Sequence, residues 1–84
     1  MFEVYLERAA ERDLRRLPTY IFDRIIRQIK HLAKSPRPVG CHKILGSKSD
    51  WRIRSGDYRI VYEIDGERQT VKVMRIRHRR EVYR

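Results

Sequence analysis

The fold of this chain is decided by one stretch, Trp51-Arg52-Ile53-Arg54-Ser55-Gly56-Asp57-Tyr58-Arg59-Ile60-Val61-Tyr62-Glu63-Ile64. Apolar and polar side chains alternate along both halves of it, which is the period-two pattern of β-strands. A tight turn is predicted at Ser55-Gly56, so the stretch folds back on itself as a β-hairpin. Counting outward from that turn places Arg52 opposite Arg59 and Ile53 opposite Tyr58.

This pairing divides the predicted hairpin into two faces. The apolar face, which is expected to join the core, carries Trp51, Ile53, Tyr58 and Ile60. The charged face carries Arg52, Arg54, Asp57 and Arg59. Because two arginines directly opposite each other destabilise a sheet, Arg52 and Arg59 indicate an anion bound between them. The alternative is that both side chains extend separately into water.

The positive charge continues toward the C-terminus. Asp65-Gly66 predicts a second hairpin, and residues 70–76 predict a further strand. Residues 77–84 fit either a short strand or a turn of helix. Tyr83 lies in this tail, where it either stacks on an unpaired base or packs the tail onto the sheet. Residues 70–84 contain one acidic residue, Glu81, and six basic residues. The basic residues are Lys72, Arg75, Arg77, Arg79, Arg80 and Arg84.

On the N-terminal side, the sequence predicts a strand at residues 2–7, a short charged helix at 8–16 and a longer amphipathic helix at 18–34. Two prolines follow and end the second helix. Residues 36–50 are predicted to be mostly loop, with Lys43-Ile44-Leu45-Gly46 as a short extended piece.

The predicted order is therefore β-α-α-β-β-β. This is an α+β fold, with two N-terminal helices packed on one face of a small, mostly antiparallel sheet whose other face stays open. A chain of 84 residues is expected to form a single domain, residues 1–84. Because so small a domain buries only about 60% of the surface of its unfolded chain, function is expected on an open face or in a shallow cleft.

The composition is strongly basic, with 21 Lys and Arg against 11 Asp and Glu and a net charge of +10. Such an excess favours nucleic acid, an acidic protein or an anionic membrane as partner, although some small basic proteins are merely soluble. The chain has no apolar run long enough to span a membrane, no signal-peptide pattern, and a single cysteine, Cys41. A cytoplasmic location without membrane contact is expected.

The sequence contains no motif typical of a metal-binding or cofactor-binding site. His31, His42, His78 and Cys41 lack the spacing of zinc ligands. Neither a glycine-rich phosphate loop nor a catalytic carboxylate pair can be identified. No metal and no cofactor are therefore expected, and any catalysis would depend on cationic side chains, a tyrosine phenol and His78.

The same residues carry a family resemblance. The run from Trp51 to Ile64, the later Val73-Met74-Arg75-Ile76-Arg77-His78-Arg79 and the final Glu81-Val82-Tyr83 closely resemble the RelE/ParE superfamily of toxin–antitoxin toxins. The segment Lys43-Ile44-Leu45-Gly46 is similar to the Leu-x-Gly segment of that family. The resemblance extends over nearly the whole chain, and the tail is similar to the RelE branch. It implies a RelE-like microbial RNase-type fold.

Resemblance to the RelE branch implies a ribosome-dependent, metal-independent endoribonuclease that enters the ribosomal A site and cuts mRNA. In that reaction the 2′-hydroxyl attacks the adjacent phosphate and the 5′-oxygen leaves. The catalytic positions of the branch correspond to Arg52, Arg54, Arg59, Arg79 and Tyr83. Arg59 and Arg79 would stabilise the charge that grows on the phosphate. Tyr83 would orient or stack the nucleotide, or protonate the leaving oxygen.

The general base is left open. Arg52 and Arg54 stand where well-known members have lysine, and an arginine side chain does not lose its proton. His78 is one possible base, because imidazole ordinarily titrates near neutral pH. Ribosomal RNA is another source, and the third possibility is catalysis by positioning and charge stabilisation alone. Further RNA phosphate contacts are expected from Lys43, Lys48, Lys72, Arg75, Arg77 and Arg80.

The resemblance also implies partners. These are the ribosome with its mRNA, and a RelB-like antitoxin that would form a hetero-oligomer with the toxin and cover or distort its basic face. Two other functions stay open. A ParE-type toxin would share the fold but inhibit DNA gyrase without chemistry of its own. A plain nucleic-acid-binding module would bind with steep salt dependence and cleave nothing.

Overall fold

The helices and strands occur in the predicted order, with one short strand and one short helix added. The computed structural model describes residues 1–82. None of the helices in this part of the chain is long and apolar enough to cross a membrane. The elements are β1 (Glu3–Leu6), α1 (Arg8–Arg15), α2 (Thr19–Leu32), β2 (Cys41–Lys43), β3 (Asp50–Ser55), β4 (Tyr58–Asp65), β5 (Thr70–His78) and α3 (Arg79–Val82).

A single sheet contains all five strands, in the order β1-β5-β4-β3-β2. β1 runs parallel to β5, and every other neighbouring pair is antiparallel. The predicted α+β fold, with two N-terminal helices and a mostly antiparallel sheet, is therefore confirmed. β4 lies at the centre of the sheet, between β5 and β3.

The hydrophobic core lies on one face of this sheet. Helix α2 repeats its buried apolar residues at intervals of three and four, which places them on one side of the helix. They pack with alternate residues of the central strands and with two residues of α1. Because strand side chains alternate, the residues between these point to the opposite face. The core comprises Ala10, Leu14, Ile21, Ile25, Ile29, Leu32, Ile53, Ile60, Tyr62, Ile64, Val71, Val73 and Ile76.

The turn between β3 and β4 lies one residue later than predicted. Its two residues are Gly56 and Asp57, and Ser55 is the buried last residue of β3. The prediction of a Ser55-Gly56 turn was therefore wrong. Gly56 has a φ of +60°, and a two-residue hairpin of this kind needs a residue with positive φ at its first central position. The Ser55 hydroxyl instead accepts a hydrogen bond from Nε of Arg24 in α2, at 3.0 Å.

The later turn changes the pairing of the arginines. Arg54, not Arg52, lies directly opposite Arg59, and Arg52 lies opposite Val61. The predicted Arg52–Arg59 pair is therefore wrong. The partner of Arg59 has moved by two positions along β3, so both arginines of β3 remain on the face that the alternation predicted.

Three further boundaries differ from the sequence prediction. The short extended piece predicted at residues 43–46 was wrong in position: β2 comprises residues 41–43, which pair with β3, and residues 45 and 46 form a turn. The loop after β4 has four residues, 66–69, because Asp65 still pairs with Thr70 in the ladder. The tail combines both predicted alternatives: β5 continues to His78, and α3 begins at the next residue.

Candidate active site

Four arginines from three elements lie at one end of the sheet, around the turn between β3 and β4. They are Arg52 and Arg54 of β3, Arg59 of β4, and Arg79, the first residue of α3. We call these four residues the arginine site. All four were predicted to be catalytic, and each is at least partly exposed.

Two adjoining depressions join these arginines. The first, the turn cleft, has a volume of about 130 Å³ and is lined by Arg54, Gly56, Asp57, Tyr58, Arg59 and Arg79. The second, the edge hollow, has a volume of about 460 Å³ and is lined by Gln28, Val39, Gly40, His42, Arg52, Ile53, Arg54 and Arg59. Arg54 and Arg59 line both, so these two side chains stand between them. Both depressions are shallow and open, as expected for so small a domain.

Hydrogen bonds around the turn hold the arginine site in place. Nε of Arg54 donates to the Gly56 carbonyl oxygen at 2.8 Å. The Arg79 N–H donates to the Asp57 carbonyl oxygen at 2.7 Å, which fixes the start of α3 against the turn. The Asp57 carboxylate also lies 3.7 Å from Nη1 of Arg79. Because both side chains of this last pair are more than half exposed, it orients Arg79 rather than stabilising the fold.

His78, the predicted possible base, is held by two contacts. Its Nδ1 accepts a hydrogen bond from the Arg80 N–H at 3.2 Å. Its ring packs edge to face against Tyr58, with ring centroids 5.0 Å apart. In the neutral imidazole, this hydrogen bond leaves the proton on Nε2, which makes Nε2 a donor. Tyr83, the predicted partner for the nucleotide, lies outside the described residues.

The predicted phosphate-binding residues fall into two groups. Lys72 lies 3.4 Å from a Glu7 carboxylate oxygen and 3.8 Å from one of Glu63. Arg77 pairs with Glu81 at 3.0 Å. Internal carboxylates therefore already compensate these two charges.

Arg75 belongs to the same group. Its Nε lies 2.9 Å from an Asp13 carboxylate oxygen, and this hydrogen bond raises the pKa of the Arg75 guanidinium. By contrast, Lys43, Lys48 and Arg80 are exposed and have no carboxylate partner among residues 1–82. Arg80 also lines a hollow with Asp57, His78 and Arg79, so it extends the cationic surface next to the arginine site.

The arrangement can bind a phosphate and stabilise negative charge on it. Guanidinium groups match phosphate oxygens in two-point geometry, and several around one shallow cleft can contact one phosphate from different sides. Within residues 1–82, no group of three or more His, Cys, Asp or Glu side chains could hold a metal ion. The guanidinium groups of the arginine site are the positive charges that it offers to a phosphate.

Sequence reasoning gave no role to two residues near the site. His42 lines the edge hollow, but its strand was predicted to be loop, so it could not be placed beside β3. Arg24 supports the turn from α2: its Nη2 donates to the Ser55 carbonyl oxygen at 3.3 Å. No local sequence signal connects it to a residue 31 positions away.

A model of the ParE toxin of type II toxin–antitoxin systems (parDE) matches residues 4–83. The chain therefore belongs to this toxin family. The resemblance to the RelE/ParE superfamily is confirmed.

Individual relatives agree with this assignment. Toxin RelG of Mycobacterium tuberculosis is 32% identical over 84 residues, which cover 99% of this chain and 97% of the relative. The crystal structure of the toxin–antitoxin complex RelBE2 from the same organism gives a TM-score of 0.82 at 28% identity, covering 92% of this chain and 96% of that one. The RelB–RelE antitoxin–toxin complex of Methanococcus jannaschii gives 0.79 at 29% identity, with 94% of each chain covered.

Proposed function

We propose that this toxin is a ribosome-dependent endoribonuclease that cleaves mRNA in the ribosomal A site and so inhibits translation. The observation that carries the proposal is the turn cleft, where Arg54, Arg59 and Arg79 line one depression of about 130 Å³. Several guanidinium groups around one such cleft suit a phosphoryl transfer, because negative charge increases on the phosphate in the transition state.

In the proposed reaction, the 2′-hydroxyl of one nucleotide attacks the phosphate that follows it. Arg54 and Arg59 contact the phosphate from two neighbouring strands, and Arg79 contacts it from the start of α3. Their fixed charges stabilise the pentacoordinate transition state without rearrangement at the moment of reaction. Tyr83 is proposed to orient the nucleotide or protonate the leaving oxygen.

The proposed partner of the toxin is a RelB-type antitoxin. Related toxins were solved as RelBE2 and RelB–RelE complexes. The net charge of +10 suits an acidic partner, because opposite charge accelerates association and favours the correct orientation. An antitoxin that covers the arginine site would block the proposed chemistry directly.

A second candidate is a ParE-type toxin, which inhibits DNA gyrase without cutting nucleic acid. The observation in its favour is the matching family model, which is that of the ParE toxin. The relative at 32% identity bears a RelE-type name instead. The arrangement of the arginine site favours cleavage over this alternative.

Two parallel assays distinguish these functions. Purified toxin is added to ribosomes programmed with a defined mRNA, and the RNA is mapped by primer extension. The same preparation is added to DNA gyrase in a supercoiling assay. We expect cuts within the A-site codon only when ribosomes are present, and unchanged supercoiling. Intact mRNA together with inhibited supercoiling would establish the ParE-type function instead.

A further inference from the structure

His42 lies beside Arg52, Arg54 and Arg59 of the arginine site. It belongs to β2, the edge strand, and its Cα partner in β3 is Arg52. Its side chain is exposed and lines the edge hollow together with Arg52, Arg54 and Arg59. A phosphate between Arg54 and Arg59 would therefore have this imidazole on the β2 side.

The chemistry of the neighbouring residues leaves a role unfilled. Arginine side chains remain protonated in proteins, so Arg52 and Arg54 cannot accept a proton from a hydroxyl group. Within residues 1–82, the His42 imidazole has no hydrogen-bond or ion-pair partner, so both of its ring nitrogens are available. His78 differs, because its Nδ1 already accepts the Arg80 N–H and its ring packs against Tyr58.

We infer that His42 is the general base of the proposed cleavage, an inference that rests on the proposed function. A neutral ring nitrogen of His42 takes the proton of the 2′-hydroxyl as the bond from O2′ to phosphorus forms. The bond from phosphorus to O5′ breaks, and O5′ takes a proton from water. The products are a 2′,3′-cyclic phosphate and a 5′-hydroxyl end. The imidazolium then returns its proton to solvent.

The groups that face His42 fit this role. Arg52 and Arg54 face it from β3 and Arg59 faces it from β4, while α2 contributes the uncharged Gln28. Among residues 1–82, no acidic side chain lines the edge hollow. The cations attract the phosphate and the imidazole supplies the proton acceptor, so the base and the charge-stabilising groups are separate residues.

The test is single-turnover cleavage of mRNA on purified, programmed ribosomes across a range of pH. The variants are His42→Gln and His78→Gln, and His31→Gln is the matched control because His31 is also exposed but lies on α2 outside the edge hollow. We expect H42Q to lose about 10²- to 10⁴-fold in rate. Its affinity for the ribosome should be unchanged.

The pH profile adds a readout that a structural role would not change. Cleavage by the unsubstituted toxin should fall as the pH drops, because a protonated base cannot accept a proton. H42Q should lack this acid limb, and H31Q should keep it. If H78Q loses the limb while H42Q keeps it, His78 is the base and the inference is overturned.

A substrate with sulfur in place of O5′ separates a base from an acid. A thiolate leaves without protonation, so this substrate rescues the loss of an acid but not the loss of a base. H42Q should remain slow on it, and rescue would overturn the inference. His42→Ala with imidazole added to the solution gives a second variant, in which partial recovery of the rate is expected.

The outcomes also separate this inference from the proposed function. If the unsubstituted toxin cuts no mRNA, the proposed function fails. If it cuts mRNA and H42Q, with an unchanged melting temperature, cuts at the same rate, only the assignment of His42 fails.

Discussion

Arg54 and Arg59 lie directly opposite each other in adjacent antiparallel strands. Like charges at such a position repel, so the pair costs stability unless an anion lies between the two side chains. The alternation of the sequence predicted that both arginines share the open face. It paired Arg59 with the wrong arginine, because the position of a turn depends on which residue adopts positive φ, and Ser55-Gly56 and Gly56-Asp57 both contain the glycine.

Asp13 is a residue whose role the sequence did not indicate. Its carboxylate accepts hydrogen bonds from Nε of Arg75 at 2.9 Å and from the Ile76 N–H at 2.9 Å. The second bond satisfies a backbone donor of β5 at a point beyond the end of β1. Because the partners are 62 and 63 positions apart in the chain, only the folded topology brings them together.

We predict that Asp13→Asn lowers the free energy of unfolding by about 1–2 kcal/mol, since the amide keeps one acceptor but loses the charge. The value lies at the lower end for a charged hydrogen bond, because the Arg75 side chain is 42% exposed and solvent screens the pair. Urea unfolding measures it as a lower midpoint with an unchanged m-value. The exposed substitution Glu67→Gln should stay within about 0.5 kcal/mol, and an equal effect of both would contradict the role of Asp13.

At the scale of elements, the turn between β3 and β4 connects the two central strands of the arginine site. Gly56 has a φ of +60°, and a Cβ added there would lie 2.7 Å from Nη2 of Arg24. Arg24 in turn holds Ser55 through its hydroxyl and its carbonyl oxygen. A side chain at position 56 would therefore strain the backbone and also displace the support from α2.

Gly56→Ala is expected to destabilise the protein by about 1–2 kcal/mol, the cost of a left-handed conformation for alanine. It should also reduce mRNA cleavage, because Arg54 donates to the Gly56 carbonyl oxygen. Gly66→Ala is the matched control: a Cβ there meets nothing within 4 Å, and its φ is not positive. Thermal unfolding of both variants measures the loss of stability. A Gly56→Ala variant as stable as Gly66→Ala would contradict the predicted destabilisation.

Tyr62 connects the central strand to the segment after α2. Its buried phenol donates to the Pro36 carbonyl oxygen at 2.8 Å, and burial raises the pKa of the phenol above its ordinary range. The folded state therefore holds this proton more tightly than the unfolded state. The resulting stabilisation is complete below about pH 10, the ordinary value for tyrosine, and is lost as the pH rises above it.

Tyr62→Phe should therefore change the pH dependence as well as the stability. At pH 8 we expect a loss of about 1 kcal/mol, from the missing hydrogen bond to Pro36. Between about pH 9 and 11, the unsubstituted protein should lose stability more steeply than the variant, so the two curves converge. Urea unfolding over this range measures both effects, and parallel curves would show that Tyr62 does not titrate differently in the two states.

For the whole molecule, the order of elements was predictable mainly because α2 and β4 each keep a clean period in their buried residues. The strand β2 could not be predicted, because its three residues are largely exposed on an edge strand and carry no periodic signal. The ion pairs of Lys72 and Arg75 could not be predicted from the sequence either, since their acidic partners lie on other elements. The basic tail therefore looked more uniformly available to RNA than it is in the folded protein.

The protein has both a general excess of positive charge and a local cluster of arginines, the arginine site. A net charge of +10 attracts any polyanion, but attraction alone does not select a phosphate for reaction. In the proposed cleavage, Arg54, Arg59 and Arg79 would add that selection, because their guanidinium groups surround one cleft. The account therefore depends on individual arginines and not on total charge.

The most direct test is the single-turnover rate of A-site mRNA cleavage for Arg54→Ala, Arg59→Ala and Arg79→Ala. Arg68→Ala serves as the control, because its side chain is 83% exposed on the opposite hairpin loop and the net charge changes equally. We predict a loss of about 10²- to 10³-fold for each of the three, as for removal of one transition-state donor, and no more than a small change for Arg68→Ala. Equal rates for all four variants would contradict the account.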